Sequence, residues 1–245
     1  MEIVEYENMY RNERDHYFYV ATHQLVLSLI EKYAPTPKKQ LKILDAGCGT
    51  GLLAQKMSKM GRVEAIDFSP EAVKFSKRRK IKVQQASIEK LPFPDDSFDV
   101  VVSIDVLTAA SIKNDQVALR EFNRLLKPGG ILIMRVSAYP WLKLIHDKHV
   151  HMRHRYERVE LFNKLNKANF ATEKLSFIHS FLFPLIIVRH LWENFIKPKE
   201  SKSAVGKIHP LLNSFLTKLL LFEAKLFLKI NLPFGLGLVS VSRKK

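Results

Sequence analysis

Three glycines at alternate positions, Gly47, Gly49 and Gly51, stand between Leu44-Asp45-Ala46 and a run in which Leu52, Leu53, Met57 and Met60 recur at helical spacing. Leu41, Ile43 and Leu44 read as a buried strand, so the glycines fall where strand hands over to helix. Glycine there admits positive φ and close approach of a ligand to the main chain, and the helix N-terminus offers unpaired N–H groups. This suits the cradling of a polar cofactor. A dinucleotide fingerprint would place its third glycine at position 52, which is Leu52, so the order is G-x-G-x-G and not G-x-G-x-x-G. A second acid, Asp67, ends the run Val63-Glu64-Ala65-Ile66 about 20 residues beyond Asp45, where a carboxylate can accept from ribose hydroxyls. Phe68 follows and is placed to pack against a base.

That glycine order, with Asp45 and Asp67, resembles the first motifs of class I S-adenosylmethionine (SAM)-dependent methyltransferases, and the likeness continues along the chain. Leu91-Pro92-Phe93-Pro94-Asp95-Asp96-Ser97-Phe98-Asp99, running on to Ser103, is similar to the loop and fourth strand of small-molecule members. Glu121 to Gly130 is similar to the helix end and Lys-Pro-Gly-Gly turn before their fifth strand, here Ile131 to Val136. The resemblance implies a Rossmann-like, doubly wound α/β fold with a seven-stranded, mostly parallel sheet whose last strand is antiparallel. It implies SAM as cofactor and S-adenosylhomocysteine as product. It assigns cofactor contacts to Asp45, Gly47, Cys48, Gly49, Gly51, Asp67 and Phe68, with Ser87 and Ile88 at the adenine edge and Ser103 on the fourth strand. Two departures stand out. Ser87 replaces a common aspartate, and the histidine that relatives often carry past the fourth strand is missing from Asp105-Val106-Leu107-Thr108-Ala109.

A histidine-rich segment, His146-Asp147, His149, His151 and His154-Arg155-Tyr156, follows the fifth strand, where ligands of open α/β sheets bind. A subset of bacterial-type methyltransferases has a similar segment, then a helix (here Val159 to Lys167) and a turn (Ala168-Asn169-Phe170), which turns this loop toward the acceptor. The N-terminal Glu7 to Glu13 and His16-Tyr17-Phe18-Tyr19 resemble that subset's segment closing over the cofactor, with Glu13, His16 and Tyr17 as lid residues. Aromatic packing of the first helix and an exposed histidine loop are the alternative readings. His16, His146 and His151 are the candidate bases, and no metal site is expected. The implied reaction is in-line methyl transfer to O, N or C, with most of its acceleration from positioning.

Forty basic against 24 acidic residues give a net charge of +16, which points to a polyanionic partner: nucleic acid, anionic lipid or a phosphorylated substrate. Lys74, Lys77, Arg78, Arg79, Lys80 and Lys82 cluster in the helix after the second strand and the turn beyond it, and the helix reads as a solvated outer face. The single cysteine, Cys48, excludes an internal disulfide and reads as a small residue filling a tight turn. An acidic start unlike a signal peptide, and no apolar run near the roughly 20 residues that span a bilayer, predict a cytoplasmic protein.

The chain reads as one domain: an N-terminal helical cap (1–40), a SAM-binding core (41–137), an acceptor-side loop, helix and sixth strand (138–180), a helical insertion (181–232), and the last strand with a basic tail (233–245). Within the insertion, Phe181 to Val188 is apolar and its Pro184 is expected to break a regular helix, Lys197 to Lys207 is a polar linker, and Leu211 to Ile230 reads as a long amphipathic helix. Its stripe is Leu212, Phe215, Leu216, Leu219, Phe222, Leu226, Phe227 and Ile230, with Ser214, Lys218, Lys225 and Lys229 opposite. Such a helix packs on the domain or lies on an anionic membrane surface. Proteins with a tail like Leu232-Pro233-Phe234-Gly235 resemble methyltransferases of envelope glycan or polyprenol-linked pathways, implying a small-molecule or lipid-linked acceptor. An RNA methyltransferase of the 2′-hydroxyl or ring-nitrogen type, or a noncatalytic SAM-binding protein, are the alternatives; acceptor and oligomeric state are open.

Overall fold

Two helices, α1 (Ile3–Asn12) and α2 (Tyr17–Tyr33), precede an alternating run of strands and helices. This run is β1 (Leu41–Ala46), α3 (Leu52–Met57), β2 (Gly61–Asp67), α4 (Pro70–Arg78), β3 (Val83–Gln85), β4 (Phe98–Ile104), α5 (Asp115–Leu125) and β5 (Leu126–Ser137). The second half holds α6 (His146–His149), α7 (Arg158–Lys167), β6 (Phe170–Ile178), α8 (Phe183–Ile196), α9 (Pro210–Phe227) and β7 (Gly237–Lys244). This computed structural model describes residues 1–35, 40–196 and 208–245, without the side chains of 193–196. The linker read at 197–207 and positions 36–39 of the cap lie outside the described residues.

The seven strands form one sheet in the order β3-β2-β1-β4-β5-β7-β6. The neighbours from β3 to β5 pair in parallel, and β7 runs antiparallel between β5 and β6. The Rossmann-like expectation, with an antiparallel last strand and helices inserted before it, holds. Val100, Val101 and Val102 are all fully buried although successive side chains point to opposite faces, so β4 is covered on both sides. All strands but β7 finish at one edge, where β1 hands over to the glycine loop and β4, β5 and β6 end together.

The structure changes three local readings. Lys127 to Gly130 does not precede β5 but bulges out of it: Phe98 pairs with Leu126 and Val100 with Ile131, so four residues loop out opposite Asp99. Gly129 takes φ +74° there. Pro184 does not break a helix; it sits in the first turn of α8, where its missing N–H would have had no partner anyway. The third concerns α9. Its packed face is Leu220, Glu223, Ala224 and Phe227, while Leu212, Phe215, Phe222 and Ile230 of the expected stripe are exposed. α9 packs on α2, where Leu220 meets Ala21 and Leu182 with Tyr17 and Leu216 alongside. The insertion therefore packs on the domain and still leaves an apolar face outward, because apolar residues cover more of the helix than one neighbour can bury.

Candidate functional site

The loop leaving β1 is pinned to β2, with the N–H groups of Gly47 and Cys48 both donating to Ile66 O at 2.8 and 3.0 Å. Gly47 has φ +92°, and a Cβ there would collide with the Val106 side chain of the segment after β4. Gly51 caps α3 with φ +83°, and its Cβ would lie 2.7 Å from Ser76 Oγ. Both positions need glycine for conformation and for space. Cys48 lies beneath the loop, its Sγ 3.4 Å from Ser76 Oγ, and burial raises its thiol well above the usual range. It is a packing residue, not a nucleophile.

Asp67 ends β2 with its carboxylate fixed from both sides: Gly49 N–H donates to Oδ2 and Ser69 N–H to Oδ1, each at 2.9 Å. Burial raises Asp67, and these N–H groups work against the rise. Each oxygen keeps a further lone pair, so the carboxylate can still accept two ribose hydroxyls. Asp45 stands buried beside it, pushed up to about 7 by burial and then by the charge of Asp67, against a hydrogen bond from the Ala54 N–H. Its Oδ2, like Ser103 Oγ on β4, is buried with no partner among the described residues. Phe68 is 58% exposed and free to cover a base. Ile88 is buried, whereas Ser87 Oγ accepts from the Glu89 N–H in a local turn. With the ribose carboxylate, two orphaned polar atoms and a space-limited glycine cradle, these residues fit SAM.

The N-terminal helix lies over this cradle. Met9 is the nearest side chain above Gly49, and Glu13 accepts from the Thr50 hydroxyl of the glycine loop. Arg79 completes the clamp, donating to Glu13 and, at 3.0 Å, to Thr50 O, with its guanidinium 4.3 Å from the Tyr10 ring. Arg79 therefore does not belong to the solvated basic face read for α4; it is buried where α1 meets the loop. Tyr17 is also displaced from its expected lid role, because it packs on α9 and its N–H donates to Asn213 at 2.9 Å.

The histidine-rich loop divides into separate roles. Asp147 accepts two bonds from Arg155 at 3.0 and 2.7 Å, and Arg155 also donates to Ala138 O. Tyr156 is buried and donates to Asp115 at 2.8 Å, while His154 pairs with Glu160. His149 meets Glu2 of the N-terminal segment, and His151 is exposed at that rim. His146, lowered chiefly by burial, and His16, likewise lowered by burial, keep buried ring nitrogens with no partner among the described residues. Of the three candidate bases, His16 and His146 are inward groups and His151 is a rim group. No set of three or more His, Cys, Asp or Glu could hold a metal among the described residues.

A second polar cluster escaped the sequence reading. Asp105 follows β4, Arg135 lies near the end of β5 and His179 follows β6; Arg135 pairs with Asp105, and its Nη2 lies 3.4 Å from His179 Nδ1. Phe18 of α2 lies against both, 5.0 Å from the guanidinium and 4.9 Å from the imidazole. The only sequence signal was a lone arginine inside the apolar run of β5.

Residues 44–134 match the family model of a methyltransferase domain. The chain is 35% identical over 109 residues to a ubiquinone biosynthesis O-methyltransferase of Methylocella silvestris, covering 42% of each chain. It is 34% identical over 114 residues to a demethylmenaquinone methyltransferase of Staphylococcus aureus, covering 43% of this chain and 46% of that one. The chain thus spans under half the length of the curated relatives it matches. A SAM-dependent methyltransferase structure from Thermotoga maritima is similar with a TM-score of 0.61 at 18% identity, over 99% of this chain and 96% of that one, a likeness of fold.

Proposed function

We propose that the chain, whose residues 44–134 match the family model of a methyltransferase domain, transfers the methyl group of SAM to a small, largely apolar acceptor taken from a lipid surface. One observation carries this reading: the cradle of Gly47 to Gly51 and Asp67 opens at the same sheet edge as the inward polar groups at the ends of β4, β5 and β6. Bound SAM supplies an electrophilic methyl on a sulfonium. Asp67 holds the ribose, Asp45 and Ser103 offer buried oxygens, and α1 excludes water from a reaction between a desolvated nucleophile and a cation. One matched relative is named for ubiquinone biosynthesis and another for demethylmenaquinone, which favours a quinone-like acceptor here; a polyprenol-linked acceptor is the longer-tailed form of the same idea.

The lipid surface is favoured by the outward faces of α8 and α9. Leu185 and Trp192 are each 64% exposed, Phe215 is 61% and Phe222 is 59% exposed, and Lys218 and Lys225 of α9 and Lys229 just past its end, expected opposite the apolar stripe, are exposed as well, because the outward face of α9 includes part of that stripe. No helix among the described residues is long and apolar enough to cross a membrane. Transfer of labelled methyl from SAM into a source-cell lysate, split into lipid, RNA and protein fractions, tests the acceptor. Label in the lipid fraction is expected. Label confined to RNA would move the protein to the RNA-modifying class, and SAM binding without label anywhere would make it a noncatalytic binder.

A further inference from the structure

We infer that Asp105, Arg135 and His179 form a hydrogen-bonding socket for a neutral ring hydroxyl and an oxygen beside it on the acceptor, held in shape by Glu223 of the insertion. This rests on the methyltransferase reading above and names the substrate class of that same site. The socket draws on three parallel strands that end together, since Ile104 pairs with Arg135 and His179 follows β6.

The donor and acceptor logic is determined by Arg135. A guanidinium can only donate, so its approach to His179 makes Nδ1 the acceptor and puts the ring proton on Nε2. Full burial and the charge of Arg135 hold His179 well below its usual value, so this neutral tautomer persists at physiological pH. Arg135 and Asp105 neutralise each other. Three buried atoms are left without a partner among the described residues: the acceptor Asp105 Oδ1 and the donors His179 Nε2 and Arg135 Nε. A hydroxyl donates to the first, and an adjacent oxygen accepts from the donors. A cationic amine would face Arg135, and a carboxylate or phosphate would face Asp105, so a neutral hydroxylated ring fits best, with the Phe18 ring as an apolar wall.

Glu223 makes the insertion part of this socket. From the buried face of α9 its carboxylate accepts the His179 N–H and, at 2.9 Å, the Phe181 N–H. His179 has φ +61°, a left-handed conformation that a β-carbon disfavours. The carboxylate holds the chain in that conformation and so aims the imidazole at Arg135. Glu223 is a positioning residue, acting through His179.

The probe is 4-nitrocatechol at a pH well below its first ionisation, where both hydroxyls are neutral and its absorbance reports their environment, titrated by calorimetry and spectroscopy into protein saturated with S-adenosylhomocysteine. Binding is expected, and Asp105→Asn and Arg135→Met should each weaken it at least about tenfold with S-adenosylhomocysteine affinity unchanged. Glu223→Gln should weaken it roughly threefold and shift the bound spectrum, a change that a merely structural role would not produce. If Arg135→Met does not fold, Arg135→Lys, which loses the two-sided contact, takes its place. Wild-type protein that binds S-adenosylhomocysteine but not 4-nitrocatechol, or Asp105→Asn binding it like wild type, would overturn the socket. Loss of S-adenosylhomocysteine binding in the wild type would instead overturn the methyltransferase reading beneath it.

Discussion

Around Gly47 to Gly51 most polar contacts are made by the main chain: the loop N–H groups go to Ile66 O, and the Gly49 and Ser69 N–H groups fix Asp67. Across β4 the other end of the site is made of side chains from separate elements, with Asp105, Arg135 and His179 joined by contacts spanning 30 and 44 residues of sequence. The first region needs particular residues at close spacing because backbone conformation is local. The second needs only that strands of suitable polarity end side by side, so its residues can come from anywhere in the chain. Under the proposed function, the first region would specify the cofactor, and the second would be free to vary with the acceptor.

The sharpest way to break this contrast is Gly47→Ala. A left-handed backbone and a collision with Val106 act together, and a loss on the order of 4 kcal/mol in chemical denaturation is expected. Adding Val106→Ala should recover only the collision part; full recovery would mean that conformation does not matter there. Arg79→Met strands the buried Glu13 carboxylate and should cost about 3 kcal/mol, whereas Lys77→Met, two residues earlier on the exposed face of α4, should be nearly silent in the same melts.

Asp67→Ala removes both ribose acceptors without touching the acceptor half, so calorimetry should find S-adenosylhomocysteine affinity lowered on the order of 100-fold. Unchanged affinity would remove Asp67 from the cofactor site. Asp45 supplies a pH test. Its native carboxyl, at about 7, keeps a proton that the unfolded chain loses near 4. Between those values the native state binds more protons, so its contribution to stability is present at low pH and lost as pH rises. Wild type should lose stability relative to Asp45→Asn by up to ~1.4 kcal/mol per pH unit between about 4 and 7 in ligand-free protein. The smallest effect on folding is expected from Phe215→Ser with Phe222→Ser, within about 1 kcal/mol because both rings are exposed. Flotation with anionic vesicles should nonetheless fall, and unchanged partitioning would detach α9 from any lipid role.

What could be read in advance follows the same division. The G-x-G-x-G order, Asp67 and the run from Leu91 to Gly130 were legible because each is a continuous segment, and they marked the strands that build the cradle. The cluster at Arg78 and Arg79 misled, since two adjacent arginines on one helix end up on opposite sides of the surface, one solvated and one bridging Glu13 and Thr50 O. The α9 stripe was right in kind and wrong in face: periodicity registers every apolar residue, while burial depends on which of them meets α2. His146, His149, His151 and His154 looked equivalent in sequence and occupy a half-buried position, a clasp on Glu2, an exposed rim and an ion pair with Glu160.

By itself the sequence determined the glycine turn after β1 and the fold class, because turn conformation and strand-to-helix handover depend on residues that are neighbours in the chain. Only the tertiary structure decided that Arg79 locks the N-terminal helix onto the glycine loop, that Glu223 reaches back from the insertion to His179, and that Asp105, Arg135 and His179 converge. Those contacts depend on which helices, loops and strand ends the fold brings together, and spacing along a chain carries no record of that.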